Sequence, residues 1–473
     1  MQRVYLLFVL ALCAVGCGEA PLYDVVLTGG RVIDPASGLD AVRNIGVQEG
    51  KIVAITEDEI HGSTELNVSG LVVAPGFIDL HRHGHSIENY RAQLHDGVTS
   101  TLELEIGVED VESWYAEREG VSPINYGAAI SHTYSRNLVM FGRNTGLAAN
   151  ETSDKPASAD EIAAIEERIV AGLDQGAVAV GFGIAYTPGI TTAELNAAFG
   201  AAARAGATAH VHIRTNREDF SNLEEVFAAA ELSGAALHIV HINSTGRDRA
   251  PQYLEQIQAA RDRGLDVTTE CYPYNRGSTR IDSQQYDDWR SYSDETFAGF
   301  IWVDTGETLT RETFGKYHAL GGTIISPPTY SLETVRTLVA HPLTMIASDG
   351  MWLDNGRAHP RTFGTFSRVL GSYVREQQAL SLTDALAKMT IRPARRLEKR
   401  APIMANKGRL QVGADADIVV FDPATVIDEG TFEDPARYST GFRHVLVNGV
   451  PTLRDGQFIE GAAAGVAIRA GGN

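Results

Sequence analysis

The chain is short of cysteine, of lysine and of long apolar runs, and each shortage closes off a class of function. Its 473 residues hold 3 cysteines, at Cys13, Cys17 and Cys271. Only Cys271 falls in what reads as the folded body, so an internal disulfide and a cysteine-rich metal site are both excluded. Any metal must then be held by histidine and carboxylate. Basic residues number 40 against 60 acidic ones, a formal charge of −20. That charge repels nucleic acid and anionic lipid surfaces, so neither is expected as a partner. A small substrate is not constrained in this way, because a pocket can be locally positive. No low-complexity tract and no repeat of fixed period is present. The apolar share of 44% and charged share of 21% are those of an ordinary globular protein. The length leaves room for more than one domain, although a barrel enzyme absorbs about 250 residues or more as one.

The one conspicuous apolar run comes first. Met1-Gln2-Arg3 supplies a positive charge and Val4 to Val15 is apolar. This is shorter than the roughly 20 residues a spanning helix needs and suits the core of a secretory signal. It closes on Ala14-Val15-Gly16-Cys17, which resembles the lipobox of bacterial lipoproteins, where small residues precede the cysteine that is lipidated and becomes the new N-terminus. The alternatives are an ordinary signal peptide or an uncleaved anchor. The lipobox reading makes residues 1–17 a signal, Cys17 the lipidation site and the protein an exported bacterial lipoprotein. Because Gly18 rather than an aspartate follows the cysteine, the outer membrane, facing the periplasm, is the expected location. The lipid anchor is then the only membrane contact expected.

Both ends of the remaining chain read as short strands broken by turns. Tyr23-Asp24-Val25-Val26-Leu27-Thr28 runs into Gly29-Gly30, and Asn44-Ile45-Gly46-Val47 faces Lys51-Ile52-Val53-Ala54-Ile55 across Glu49-Gly50, a hairpin signal. Late in the chain Asp417-Ile418-Val419-Val420-Phe421 and Val445-Leu446-Val447 before Asn448-Gly449 repeat the pattern. Residues 22–73 and 403–465 are therefore expected to meet in one small β-sandwich. Residues 74–402 alternate apolar strands with helices that carry start signals. Ser158-Ala159-Asp160-Glu161 reads as a capping box, and Thr191-Thr192-Ala193-Glu194 repeats the device. Strands are expected at Phe77–Leu80, Thr99–Leu104, Tyr126–Ile130, Ala177–Gly181, Thr208–Ile213, Ala236–Ile242, Asp266–Cys271 and Thr344–Ser348. Eight such units predict a (β/α)8 TIM barrel, with a doubly wound α/β sheet as the alternative.

The most informative stretch is Pro75-Gly76-Phe77-Ile78-Asp79-Leu80-His81-Arg82-His83. Alternate residues of a strand share a face, so His81 and His83 can converge on one divalent ion. A bare His-x-His is common among loop residues, but here other strand ends carry His212, His241 and Asp349. In a barrel the ends of separate strands meet in one place, which makes these residues candidates for a single site.

In order and spacing, these motifs resemble those of the amidohydrolase superfamily, and within it the N-acyl-D-amino-acid deacylase (D-aminoacylase) family. The similarity extends over nearly the whole mature chain. It takes in Gly97-Val98-Thr99-Ser100, Tyr186-Thr187-Pro188-Gly189, His212-Ile213-Arg214 and Tyr272-Pro273-Tyr274 with Gly277-Ser278-Thr279. Ser348-Asp349-Gly350, His359-Pro360-Arg361, Gly364-Thr365-Phe366 and Gly413-Ala414-Asp415-Ala416-Asp417 continue the series. The resemblance implies one or two zinc-type ions held by His81 and His83 with His212 and His241. It implies Asp349 as general base and acid, and a small N-acyl amino acid as substrate.

Two departures from that pattern bear on the site. Many relatives bridge two metals with a carboxylated lysine after the fourth strand, but Gly181-Phe182-Gly183-Ile184-Ala185-Tyr186 has none. D-aminoacylases often place a cysteine after the second strand, where this chain has Leu102-Glu103-Leu104-Glu105-Ile106-Gly107. A carboxylate can replace it as ligand, and Glu105 is chosen over Glu103 as nearer the strand end; the alternative is that both are supporting or structural residues. Asn243 stands where these deacylases commonly carry a substrate-binding lysine, so carboxylate recognition is assigned to Arg214, Arg276 or Arg280, whose planar forks suit it. His132, Tyr186, Tyr272 and Tyr274 are candidate substrate contacts. His85 is expected in a supporting or solvent role. His210 and His238 are expected between barrel and helices, a placing drawn from the family, since strand parity alone puts His210 beside His212. The rival functions are a dipeptidase or cyclic-amide hydrolase of the same superfamily and, from another class, a solute-binding lipoprotein. The oligomeric state is not readable from these features.

Overall fold

Residues 23–215 and 218–471 are described by the structure, a computed structural model; the signal and Cys17 lie outside them. At the start of the described chain β-branched residues alternate with polar ones and form β1 (Tyr23–Asp34), β2 (Leu39–Gln48), β3 (Lys51–Thr56), β4 (Gly62–Asn67) and β5 (Val72–Pro75). The hairpin read between β2 and β3 forms, with Gln48 opposite Lys51. Its two turn residues, Glu49 at φ 48° and Gly50 at φ 76°, both take the positive φ that a tight hairpin needs.

The barrel strands follow as β6 (Phe77–Asp79), β7 (Val98–Val108), β8 (Asn125–Ser131), β9 (Ala179–Gly183), β10 (Thr208–His212), β11 (Ala236–Ile239) and β12 (Val267–Cys271). After a small antiparallel sheet, β13 (Ser278–Arg280), β14 (Ile301–Trp302) and β15 (Thr323–Ile325), comes the eighth barrel strand, β16 (Thr344–Ile346). All eight expected strands form, and they pair in parallel in chain order. The ring closes where Arg82 bridges Gly350 and the His83 amide donates to the Gly350 carbonyl at 2.7 Å. Apolar residues of these strands face the helices in the main core, with Val211, Leu237 and Ile239 fully buried.

Ser158 and Glu161 make the expected capping box at the head of the helix Ala159–Asp174. Thr191 caps the helix Thr192–Arg204 by accepting from the Glu194 amide, but the Glu194 side chain does not return to the cap. It accepts instead from His132 Nε2 and Arg136 Nε, both at 3.0 Å, because a fully buried guanidinium requires a counter-charge.

The last strands, β17 (Ile418–Phe421), β18 (Phe442–Val447), β19 (Val450–Arg454) and β20 (Gln457–Phe458), join the first through β17, which runs antiparallel to β5. The two chain ends thus form one nine-stranded sheet around its own apolar cluster, which includes Val25, Ile45, Ile52, Val73 and Ile418. Beyond β20 the chain returns to the barrel, and the Ile468 amide donates to Tyr126 O at 2.7 Å. Among the described residues no helix is long and apolar enough to cross a membrane.

Candidate active site

Strand parity builds the site. On β6 and the residues after it, Asp79, His81 and His83 point inward; on β7, Glu103 and Glu105 do; β10 contributes His212, β12 Glu270, and Asp349 follows β16. Gly181 lets β9 come close to β7: a Cβ there would lie 2.5 Å from Glu105 O. Two of the positions are strained. His241 has φ 29° and Asp349 φ 48°, conformations that cost non-glycine residues free energy and cluster at functional sites. Asp79 helps to hold the second, accepting from the Ser348 amide at 2.9 Å.

Glu105 lies at the centre. Its Oε2 is 3.1 Å from His81 Nε2 and 3.0 Å from His83 Nε2. Its Oε1 is 2.7 Å from His212 Nδ1 and 3.1 Å from His241 Nε2. Asp349 Oδ1 stands 3.5 and 3.6 Å from the Nε2 atoms of His81 and His83, and 2.9 Å from Arg361 Nη2. A cavity of about 840 Å³ opens above, with His83, Glu105, His212, His241 and Asp349 in its wall and Gly277 to Thr279 and Gln284 to Asp288 opposite.

Burial and charge compete here, and charge prevails. Burial disfavours a proton on His81, yet Asp349, Glu105 and Glu270 push its pKa up to about 10. His83 is likewise raised against burial, chiefly by Glu103. Glu105, although fully buried, is held well below the usual carboxylate range by His81 with hydrogen bonds from His212 and His241. Asp349 is lowered in spite of burial by Arg361 and His81.

The tautomers test whether a metal fits. His81 Nδ1 donates to Glu270 Oε1 at 2.6 Å and His83 Nδ1 donates to Glu103 Oε1 at 2.9 Å, because a carboxylate only accepts. Each neutral ring therefore presents a lone pair at Nε2, and these two atoms face each other at 3.1 Å with Glu105 Oε2 beside them. Three electron-rich atoms so close repel unless protons or a cation lie between them. Imidazole nitrogens with carboxylate oxygens form the donor set that zinc takes, and the residues fit a divalent ion.

Residues 64–453 match the family model described as the amidohydrolase family. The chain belongs to that family. Among the relatives of this amidohydrolase, N-acyl-D-glutamate deacylase of Alcaligenes xylosoxydans xylosoxydans is 31% identical, the match covering 90% of this chain and 93% of the relative. The crystal structure of N-acyl-D-glutamate deacylase from Bordetella bronchiseptica, complexed with zinc and a phosphonate that mimics the tetrahedral intermediate, has a TM-score of 0.82 at 29% identity. It covers 95% of this chain and 100% of that one. A D-aminoacylase structure concerned with the role of its binuclear metal centre gives 0.81 at 26% identity, with the same coverage. Together these relatives bear out the D-aminoacylase resemblance and the expectation of a metal-dependent enzyme of the zinc type.

The amidohydrolase fold brings together His81, His83, Glu105, His212, His241 and Asp349, the six residues assigned from sequence to metal and proton transfer. Tyr186, Tyr272 and Arg214 also line the cavity. Tyr186 shares a hydrogen bond with Thr279 Oγ1 at 3.1 Å. Arg214 is committed elsewhere: its guanidinium donates to Pro188 O, Ile190 O and Glu225.

Other expectations need correction. His132 does not line the cavity; it lies stacked on Phe182 and bound to Glu194. Arg276 is turned away too, over the Phe432 ring and toward Gly299 O, and Arg280 is paired with Asp282. Tyr274 donates to Gly364 O rather than facing the cavity. His210 and His238 are not between barrel and helices, as the family suggested. His238 Nε2 donates to Glu270 Oε2 at 3.1 Å inside the barrel, and the His210 ring lies 4.7 Å from it, so parity was the better guide. Asn243 is fully buried, its amide donating to Tyr272 O and Tyr330 Oη.

Two further residues join the cluster without having been assigned a role from sequence, Glu270 beside His81 and Arg361 beside Asp349. Glu270 sits within the expected seventh strand, and parity with Thr268 turns it inward. Arg361 lay in a quoted motif without a role. It is 1% exposed and stacks 4.5 Å over the Tyr272 ring.

Proposed function

We propose that this amidohydrolase hydrolyses the linear amide bond of an N-acyl-D-amino acid, releasing the acyl group as a carboxylate and the amino acid as its amine. The observation that carries the proposal is Asp349. It is buried beside the Glu105 cluster, held ionised by Arg361, and open to the cavity, where it can take a proton from water and return it to the leaving nitrogen. The histidines and Glu105 would hold a divalent ion, which when bound would supply an acidified water and polarisation of the amide carbonyl. Arg361 Nε and Nη1 and the Tyr272 hydroxyl are buried without hydrogen-bond partners next to Asp349. These idle donors suit the carboxylate of an amino acid, and leaving them unpaired would cost free energy. The D configuration follows the relatives, which are named for N-acyl-D-amino acids. A panel of N-acyl-D- and N-acyl-L-amino acids with several side chains tests the assignment. Turnover is expected on D-compounds; turnover confined to L-compounds, dipeptides or cyclic amides would refute it.

We also propose that the protein is exported and lipidated at Cys17, on the strength of the lipobox-like Ala14-Val15-Gly16-Cys17 after its short apolar run. In a bacterial host, labelled palmitate is expected to enter the wild type and not Cys17→Ala, with the wild type in the outer-membrane fraction. Equal labelling of both would contradict the lipidation, and inner-membrane recovery the location.

A further inference from the structure

We infer, on the reading of Arg361 as partner to Asp349 and to the substrate carboxylate, that Asp96 is a positioning residue for Arg361. It stands outside the cavity wall and holds the segment that aims the guanidinium.

Asp96 ends the helix Ile87–His95 and is 4% exposed. Its carboxylate serves chain that is remote in sequence. Oδ2 accepts from the amides of Thr365 and Phe366, both at 2.8 Å. Oδ1 accepts from the Ser367 amide at 2.9 Å and from the Ser439 hydroxyl at 3.0 Å. Three successive amides without local partners mark a helix start, and helical structure does run from Phe366 to Glu376. Thr365 occupies the cap position, where a threonine ordinarily accepts from those amides itself. Here it does not: Thr365 Oγ1 donates instead to Arg361 O at 3.0 Å. The Asp96 carboxylate takes over the cap and frees the Thr365 hydroxyl for Arg361. Burial pushes the Asp96 carboxyl up to about 6, the amides of Thr365, Phe366 and Ser367 opposing, so at neutral pH it is ionised and accepts on both oxygens.

A short line of contacts results. Asp96 fixes the Thr365 amide and Thr365 fixes the Arg361 carbonyl. The Arg361 side chain then reaches Asp349 Oδ1 at 2.9 Å and Ser278 O at 3.3 Å. The neighbouring residue is held from the barrel side, where Thr362 O accepts from Arg82 Nη1 at 3.0 Å. Arg361 Nε and Nη1 have no partner, so the guanidinium has few contacts of its own to aim it and depends on where its backbone is placed. Misplacing a positioned group from a distance can cost as much as about 100-fold in rate.

Asp96→Asn keeps the shape of the side chain but turns one accepting oxygen into a donor facing an amide. Steady-state kinetics on the N-acyl amino acid that the full-length enzyme turns over fastest should show kcat/KM reduced about 10–100-fold, with bound metal unchanged by elemental analysis. Thr365→Val, which breaks only the link to Arg361 O, should reproduce the loss, and Thr365→Ser, which keeps the hydroxyl, should restore most of it. A double-mutant cycle separates positioning from general stability. In an Arg361→Gln background, Asp96→Asn should cost no more than about 2-fold further, since the group it aims is gone. An equal loss in both backgrounds, or a Thr365→Val variant as active as the wild type, would overturn the inference and leave the role of Arg361 intact; the Thr365 pair decides alone if Asp96→Asn does not fold. An Arg361→Gln variant as active as the wild type, or a wild type that turns over no N-acyl amino acid, would overturn both.

Discussion

His81 is buried against Glu105, Glu270 and Asp349 at the floor of the cavity, and its pKa of about 10 expresses that crowding of carboxylates. At neutral pH the metal-free ring therefore carries a proton, which an incoming ion must displace. The sign follows directly: metal affinity falls as the pH drops below about 10, and each zinc bound there at pH 7 releases protons to the buffer. Titration calorimetry in two buffers with different ionisation heats should give different apparent heats; identical heats would contradict the account. The convergence of these histidines was legible in the sequence, because His-x-His at a strand end and histidines at other strand ends need only parity to meet. The supporting residues were less so. Glu103 and Glu105 share a face of β7, and only depth along the strand, set by neighbouring strands, makes one central and the other a partner for His83. Of the misplaced residues, His132 and Arg276 found partners remote in sequence, Glu194 and Phe432, of which composition carries no trace, whereas Arg280 closed on its near neighbour Asp282.

At the scale of elements, parallel barrel strands are buried on both faces and so read as nearly continuous apolar runs; this is why all eight were visible. The segment between β12 and β16 was not. Its three strands span only two or three residues each and carry no usable period. What holds it is an aromatic cluster of Phe297, Phe300, Trp302, Phe314 and Tyr317, packed with Ile281 and Ile324. Trp302 and Tyr317 stack at 4.2 Å, and Phe300 and Phe314 meet edge to face at 5.1 Å. A separate small core lets this insertion form one wall of the cavity while the barrel supplies the chemistry. It contributes Thr279 to Tyr186 and a backbone carbonyl, Ser278 O, to Arg361. The cavity thus draws its walls from two elements, the barrel strand ends with the histidine–carboxylate cluster and the insertion with Thr279 and Tyr286.

For the whole molecule, the terminal sheet and the barrel are joined through buried charge. Lys407, fully buried, pairs with Asp415 at 3.0 Å and Asp417 at 2.7 Å, while Asn125 at the start of β8 donates to Asp417 at 2.9 Å. The paired ends of the chain therefore brace the barrel from the face opposite its strand C-termini, where the chemistry lies. Everything functional in this account depends on a metal centre assembled from five barrel strands and their following loops. The most direct test is elemental analysis of the purified protein together with turnover of an N-acyl-D-amino acid, for wild type, His81→Ala and Asp349→Asn. Zinc is expected in the wild type, loss of metal and activity together in His81→Ala, and in Asp349→Asn retained metal with turnover reduced about 100-fold or more. A folded wild type that holds no metal, and stays inactive when divalent ions are added, would contradict it.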